Sequence, residues 1–318
     1  MKKLHKHLAT ACAALALLLQ IPAGAAAQQR LPTPIAPQPA PAEQTEPGEQ
    51  GEASGPALWK LRDADTVVYL FGTVHALPVD TQWLGPVIAD ALDSADELVT
   101  EVDLSDTSHI RTQFMARALL PDGTKLRDLL EQEDRQAYEA AMVSIGLPPA
   151  AFDRYKPWYA AMAMSLLPMA KAGFSPHTGV EAVLDERHKA PERKRTALES
   201  AEYQLELFDS LPMDAQIAYL RDVSKAVPDM GGNLGEMVAS WLKGDAEALA
   251  NLINRDNSDP LVMEHLLFQR NRQWAEWIEA RMAEPGTVFL AVGAGHLAGP
   301  GSVQDELAAR GLAVSRLQ

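Results

Sequence analysis

The chain has 318 residues and a single cysteine, Cys12, which sits inside the apolar run near its start. Beyond that run it therefore has no means of forming a disulfide, a thiolate metal site or a cysteine nucleophile, and an oxidising compartment would leave it unchanged. Basic residues are also in deficit: 28 Lys and Arg face 43 Asp and Glu, for a net charge of −15. That balance disfavours nucleic acid and anionic lipid as partners. After the first apolar run no other stretch is long and apolar enough to span a bilayer, so no integral membrane segment is expected in the processed protein. Several catalytic signatures are missing as well. The absence of H-E-x-x-H, G-x-S-x-G and any Gly-Lys dipeptide argues against the familiar zinc peptidase helix, a nucleophile elbow and a phosphate loop. "GAGHLAG" (Gly293–Gly299) approximates a dinucleotide fingerprint, but its last glycine is misplaced and too little chain follows for a complete βαβ unit.

What is present divides into three parts. Residues 1–27 combine a cationic start, an apolar run and small residues at Ala23, Ala25 and Ala27. They have the form of a signal peptide cleaved near Ala25 to Ala27, which places the processed chain in the periplasm or outside the cell. Residues 28–55 are rich in Pro, Glu and Gln and nearly free of large apolar side chains, as in a disordered linker. Residues 56–318 are enough for one domain with a substantial core.

Within that domain, "ALWKLRD", "TVVYLFG", "ELVTEVDL", "RTALES", "TVFLAVG" and "LAVSRLQ" have strand character. Apolar stripes at helical spacing lie between them: Trp83, Val87, Ile88, Ala91 and Leu92; Tyr138, Met142 and Val143; Tyr203, Leu207, Phe208 and Leu211; and the segment 260–283. The fold expected is α/β, a central mixed sheet carrying two glycine-histidine strand motifs, with a large helical insertion.

Those two motifs are "FGTVH" and "VGAGH". Each ends a hydrophobic strand with a glycine and, three residues later, a histidine, His75 and His296. Ligands of open α/β sheets collect beyond the carboxyl ends of the strands, and two imidazoles there could form half of a metal site. A single such motif is more simply a strand cap; the matched pair favours function. Glu101, inside the apolar "ELVTEVDL", is a carboxylate that needs a partner, a proton or a metal. The spacing suggests that its strand neighbours that of His75 in a βαβ unit, with Asp103 as an ordinary helix cap. Glu199 ends "RTALES" and approaches the same sheet edge, or supports the cap of the helix that follows. Glu181 reads as a first-turn acid that favours its helix dipole. On the helix after Pro260, Arg270 and Asn271 fall on the apolar side with Leu267, Trp274 and Ile278. A buried guanidinium there needs a carboxylate, a carbonyl or a developing oxyanion. His109, His177, His188 and His265 lie in no comparable setting.

In order and spacing, "LFGTVHALP", "ELVTEVDL", "YKPWYAAMAMSLL", "GVEAVLDERHK", "TALESAEYQLELFDSLP", "RNRQWAEWI" and "VFLAVGAGHLAGPGSV" resemble the TraB/GumN family, which is related to the Tiki and pheromone-shutdown proteins. The likeness covers 57 to 318, with one departure, Glu181, where the family more often has aspartate. It implies a metal-dependent hydrolase whose paired histidines and an acidic residue form the centre; the animal Tiki members are metalloproteases. Carried over, His75, His296 and Glu101 are the metal ligands, and Glu101, Glu199, Arg270 and Asn271 the catalytic surroundings. The division of base from ligand between Glu101 and Glu199 stays open, as does the identity of the divalent ion among zinc, manganese and cobalt. The expected activity is a metal-dependent hydrolase of the bacterial envelope acting on a peptide or protein. The alternative is a non-catalytic protein of the same scaffold that sequesters a peptide, a metal or haem.

Overall fold

The computed structural model describes residues 55–103, 108–190, 192–254 and 259–318. The leader and the linker up to Ser54 lie outside the described residues. A six-stranded mixed sheet organises the rest. Its strands are β1 (Leu58–Arg62), β2 (Thr66–Thr73), β4 (Glu97–Val102), β6 (Lys194–Glu199), β7 (Gly286–Gly293) and β8 (Ser315–Arg316), in the order β6-β4-β7-β2-β1-β8. β3 (Leu77–Pro78) and β5 (Phe174–Ser175) form a separate two-stranded ladder. All six strand segments read from the sequence are present, the last shortened to two residues. β6, β4, β7 and β2 are parallel, whereas β1 is antiparallel to both β2 and β8.

The order corrects one expectation. β4 does not lie beside β2; β7, which comes last but one in the chain, is inserted between them. Its run Val288–Val292 is buried on both faces, which suits a central parallel strand. The insertion places the late motif between β2, which leads to His75, and β4, which carries Glu101.

Alternation along the strands sends side chains to two cores. Val68, Leu70, Val99, Val288, Leu290 and Val292 face Trp274, Ala275 and Ile278 of the helix Gln269–Arg281 and Val303 and Leu307 of the helix Val303–Ala309. Phe71, Leu98, Phe289 and Ala291 face the larger helical layer. There Phe71 stacks on Trp83 at 5.7 Å, and Trp241 donates its indole N–H to Gly72 O at 2.7 Å. The helical stripes are buried as their spacing predicts, except that Val87 and Val143 point to solvent, 40% and 64% exposed, and that Trp83 and Leu211, though buried, lie just outside the helices Pro86–Asp93 and Ala201–Asp209. The segment 260–283 is helical as far as Arg281 but not uniform. A π-helical turn, Glu264–Phe268, separates Pro260–Met263 from Gln269–Arg281 and sets the register in which Arg270 meets the sheet.

Candidate active site at the carboxyl edge of the sheet

Parallel pairing of β2 with β7 brings the ends of the two glycine-histidine strands together. The register sets Thr73 against Gly293 and Gly72 against Val292, so the two motif glycines are one step out of line and face opposite sides of the sheet. They do different things. A methyl group on Gly72 would come within 3.0 Å of the Ala294 backbone, so this glycine allows close packing. A methyl group on Gly293 would lie 2.9 Å from Glu101 Oε1 and 3.6 Å from both His75 Nε2 and His296 Cδ2. Gly293 keeps open the space around which Glu101 and both histidines gather.

His75 follows β2 on a segment tied down by the helix Val180–Arg187. Val180 N donates to Val74 O at 3.1 Å, and Gly179 lies so close to the His75 carbonyl that a methyl group there would be 2.1 Å from it. Docked this way, the helix presents Glu181 from its first turn, 2.6 Å from His75 Nδ1. Burial opposes charge on His75, but Glu181 and the more distant Glu101 outweigh it and raise its pKa to about 9.

His296 ends a short 3-10 turn, Ala294–His296, directly after β7. Its Nδ1 lies 2.6 Å from Asn271 Oδ1, while Asn271 Nδ2 donates to Gly301 O at 2.7 Å. With the amide nitrogen committed to a carbonyl, Oδ1 accepts, so the imidazole carries its proton on Nδ1 and a lone pair on Nε2. That Nε2 accepts from Arg270 Nη1 at 3.1 Å. Burial and the neighbouring guanidinium lower the His296 pKa to about 3. The two histidines are thus held in opposite charge states.

Arg270 joins the remaining parts. Nη2 donates to Glu101 Oε2 at 2.8 Å and to Glu199 Oε2 at 3.0 Å, Nε to Glu199 Oε1 at 2.8 Å, and Nη1 also to Leu266 O at 3.1 Å. The Trp274 ring lies beneath the guanidinium at 4.7 Å. Burial disfavours the charge on Arg270, yet its two carboxylates raise its pKa further. Glu101 is pulled down to about 2: burial opposes ionisation, but Arg270, both histidines and the Gly293 N–H, 2.5 Å from Oε1, prevail.

Among models of known families, that of the TraB/PrgY/gumN family matches residues 57–316. The chain belongs to that family. No curated protein and no solved structure matches it. This TraB/PrgY/gumN chain brings together all six residues singled out in the sequence: His75, Glu101, Glu199, Arg270 and His296, with Asn271 supporting the last. Asp103 is exposed beyond β4. Glu199 is not a capping partner, since Ser200 caps its own helix through Tyr203 N. Glu181 is more than a first-turn acid, because it also holds His75.

Two contributors escaped the sequence reading. Gln204 donates to Glu199 Oε2 at 2.9 Å and reaches Glu101 Oε2 at 3.5 Å, and Trp274 donates its indole N–H to Glu199 Oε1 at 2.9 Å. Gln204 had a signal: it is a polar residue one turn before Leu207 and Phe208 on a buried stripe. Trp274 reads as core, which it also is.

Among the described residues, no group of three or more His, Cys, Asp or Glu side chains is arranged to hold a metal ion. The donor chemistry nevertheless fits a divalent ion. Each imidazole has its Nδ1 tied to an oxygen, the outer arrangement that orients metal-ligating histidines. On neutral His296 this leaves Nε2 as the donor, whereas charged His75 would give up its Nε2 proton to an incoming ion. Glu101 Oε1, 3.9 Å from His296 Nε2, is the nearby carboxylate oxygen. The obstacle is Arg270, which stands on the lone pair of His296.

Proposed function

We propose that the chain is a metal-dependent hydrolase of peptide bonds, working in the periplasm or outside the cell after removal of its leader. One observation carries this reading: imidazoles from opposite ends of the domain are anchored through Nδ1, one on Glu181 and one on Asn271, beside a buried carboxylate and the open position over Gly293. His75, His296 and Glu101 would hold the ion. A bound divalent ion supplies Lewis acidity and lowers the pKa of its water toward neutrality.

The chain's own residues have separable tasks. Glu181 fixes the His75 ring, and Asn271 keeps the His296 proton on Nδ1. Glu199 has both oxygens committed to Arg270, Trp274 and Gln204, so it supports the site and does not take the substrate's proton. Glu101, the carboxylate nearer the histidines, is the ligand or general base. Arg270 pairs with both acids, favours the ionised form of Glu101, and places positive charge where negative charge develops on a substrate oxygen.

A second reading is favoured by the Arg270–His296 hydrogen bond: a closed network that binds a peptide, a metal or haem without turnover. Elemental analysis of the purified processed protein, then peptidase assays on the metal-loaded form with His75→Ala and His296→Ala, separates the two. Divalent metal and cleavage lost in both variants support the hydrolase. Binding without cleavage supports the second reading, and unchanged cleavage in both variants removes the proposed centre.

A further inference from the structure

Arg270 already meets two of the three groups that would hold the ion, His296 and Glu101. Its charge neutralises Glu101, and its Nη1 hydrogen occupies the one lone pair of His296 Nε2. That lone pair cannot accept a hydrogen bond and ligate a metal together, and a guanidinium in contact with a divalent ion is repelled by it. Arg270 is also held at a second place that does not involve the histidine. Glu199 takes Nε and Nη2, Trp274 lies beneath the planar group, and Trp274 and Gln204 hold Glu199 in turn. The guanidinium can therefore give up His296 and Glu101 while remaining on Glu199. The π-helical turn that carries Leu266, whose carbonyl also accepts from Nη1, directly precedes it in the chain.

We propose that Arg270 is a resident counter-cation that competes with a divalent metal ion for His296 Nε2 and Glu101, the ion entering as the guanidinium withdraws onto Glu199. The proposal rests on the metal-dependent reading above. It gives Glu199 a definite task, holding Arg270 in both states, and it gives buried Glu101 a counter-charge in the metal-free protein.

The test is manganese(II) affinity by isothermal titration calorimetry on the full chain. It compares wild type, Arg270→Lys, Arg270→Gln and His296→Ala, with melting curves to confirm folding. Arg270→Lys keeps the charge but lacks the fork that spans two carboxylates and an imidazole. It should bind manganese(II) about tenfold more tightly than wild type, and the gain should vanish when His296→Ala is added. Equal or weaker binding by folded Arg270 variants, with wild-type binding that depends on His296, overturns the competition and leaves the metal reading standing. No binding by any form overturns both. In case the variants do not fold, the wild-type chain labelled with nitrogen-15 at arginine provides a second measurement. Saturating zinc(II) should shift the Arg270 Nη signals and leave Nε in place on Glu199; unmoved Nη signals overturn the proposal.

Discussion

Glu97 and Glu101 stand on the same strand, at positions that point to the same face, and both are buried, 4% and 6% exposed. One helix supplies an arginine to each: Arg270 to Glu101 at 2.8 Å and Arg281 to Glu97 at 3.6 Å, with Val99 packed on Trp274 and Ile278 between them. The surroundings then diverge. At the amino end of the strand, Glu97 also meets Thr196 Oγ1 at 2.7 Å and Lys194 Nζ at 3.0 Å, and that lysine is 66% exposed. At the carboxyl end every partner of Glu101 is itself buried, and two of the groups that lower its pKa are imidazoles. The first is a buried carboxylate with several partners, one of which, Lys194, reaches water. The second is a closed network in which each charge depends on the others, at the edge where parallel sheets place their ligands.

The largest test of this contrast compares the two arginines. Arg270→Met leaves Glu101 and Glu199 buried without their cation and should destabilise the protein by about 3–5 kcal/mol in urea unfolding. Arg281→Met leaves Glu97 with lysine and threonine and should lose about 1 kcal/mol or less. Similar losses would erase the distinction.

Next come the acids themselves. Glu101→Gln should weaken manganese(II) binding by about a hundredfold, whereas Glu97→Gln should leave it unchanged. A loss in both would mean that Glu97 acts on the metal site through β4. Gly293→Ala should follow at about 1–3 kcal/mol, because its methyl group meets Glu101 Oε1 at 2.9 Å, and manganese(II) affinity should fall with it. A fully stable variant with unchanged affinity would show that the space above Gly293 is not needed.

Acid titration of the metal-free protein sharpens the comparison on a smaller scale. Both carboxylates titrate below their ordinary value of 4.5, Glu97 because Thr196 and Lys194 outweigh its burial, and Glu101 down to about 2. A depressed folded pKa means that each contributes stability that is complete above 4.5 and is lost as pH falls through the folded value. Carbon-13 spectra of the carboxyl groups should show Glu97 protonating before Glu101. The smallest effect belongs to Lys194→Ala, about 0.5 kcal/mol, since an exposed lysine is screened by water.

Much of this was legible in the residues. Strand and helix periodicity come from local burial, so β2, β4, β6 and β7 could be read from their apolar runs. Buried polar residues in those runs marked His75, Glu101, Glu199, Arg270, Asn271 and His296, because a charged or polar group among apolar neighbours requires a partner. Who the partner is depends on long-range packing. Glu181 looked like a helix-start acid because nothing local shows that Gly179 lets its helix dock on the His75 carbonyl. Gln204 and Trp274 belonged to core stripes, and their polar ends become visible only once Glu199 is opposite. The neighbour expected for β2 was wrong for the same reason: strand order is decided by which hydrophobic faces pack best, not by sequence proximity.

The amino-acid order by itself determined the family, the α/β class and the set of groups that could not be buried alone, since these follow from composition, spacing and the desolvation of charge. Only the tertiary structure decided how those groups were shared. By inserting β7 between β2 and β4, it set one guanidinium against two carboxylates and one imidazole and gave the other imidazole to Glu181. Two histidines from matching motifs thereby acquired opposite proton affinities. The physical reason is that a proton's affinity depends on the charges and burial around its site, and both are set by packing.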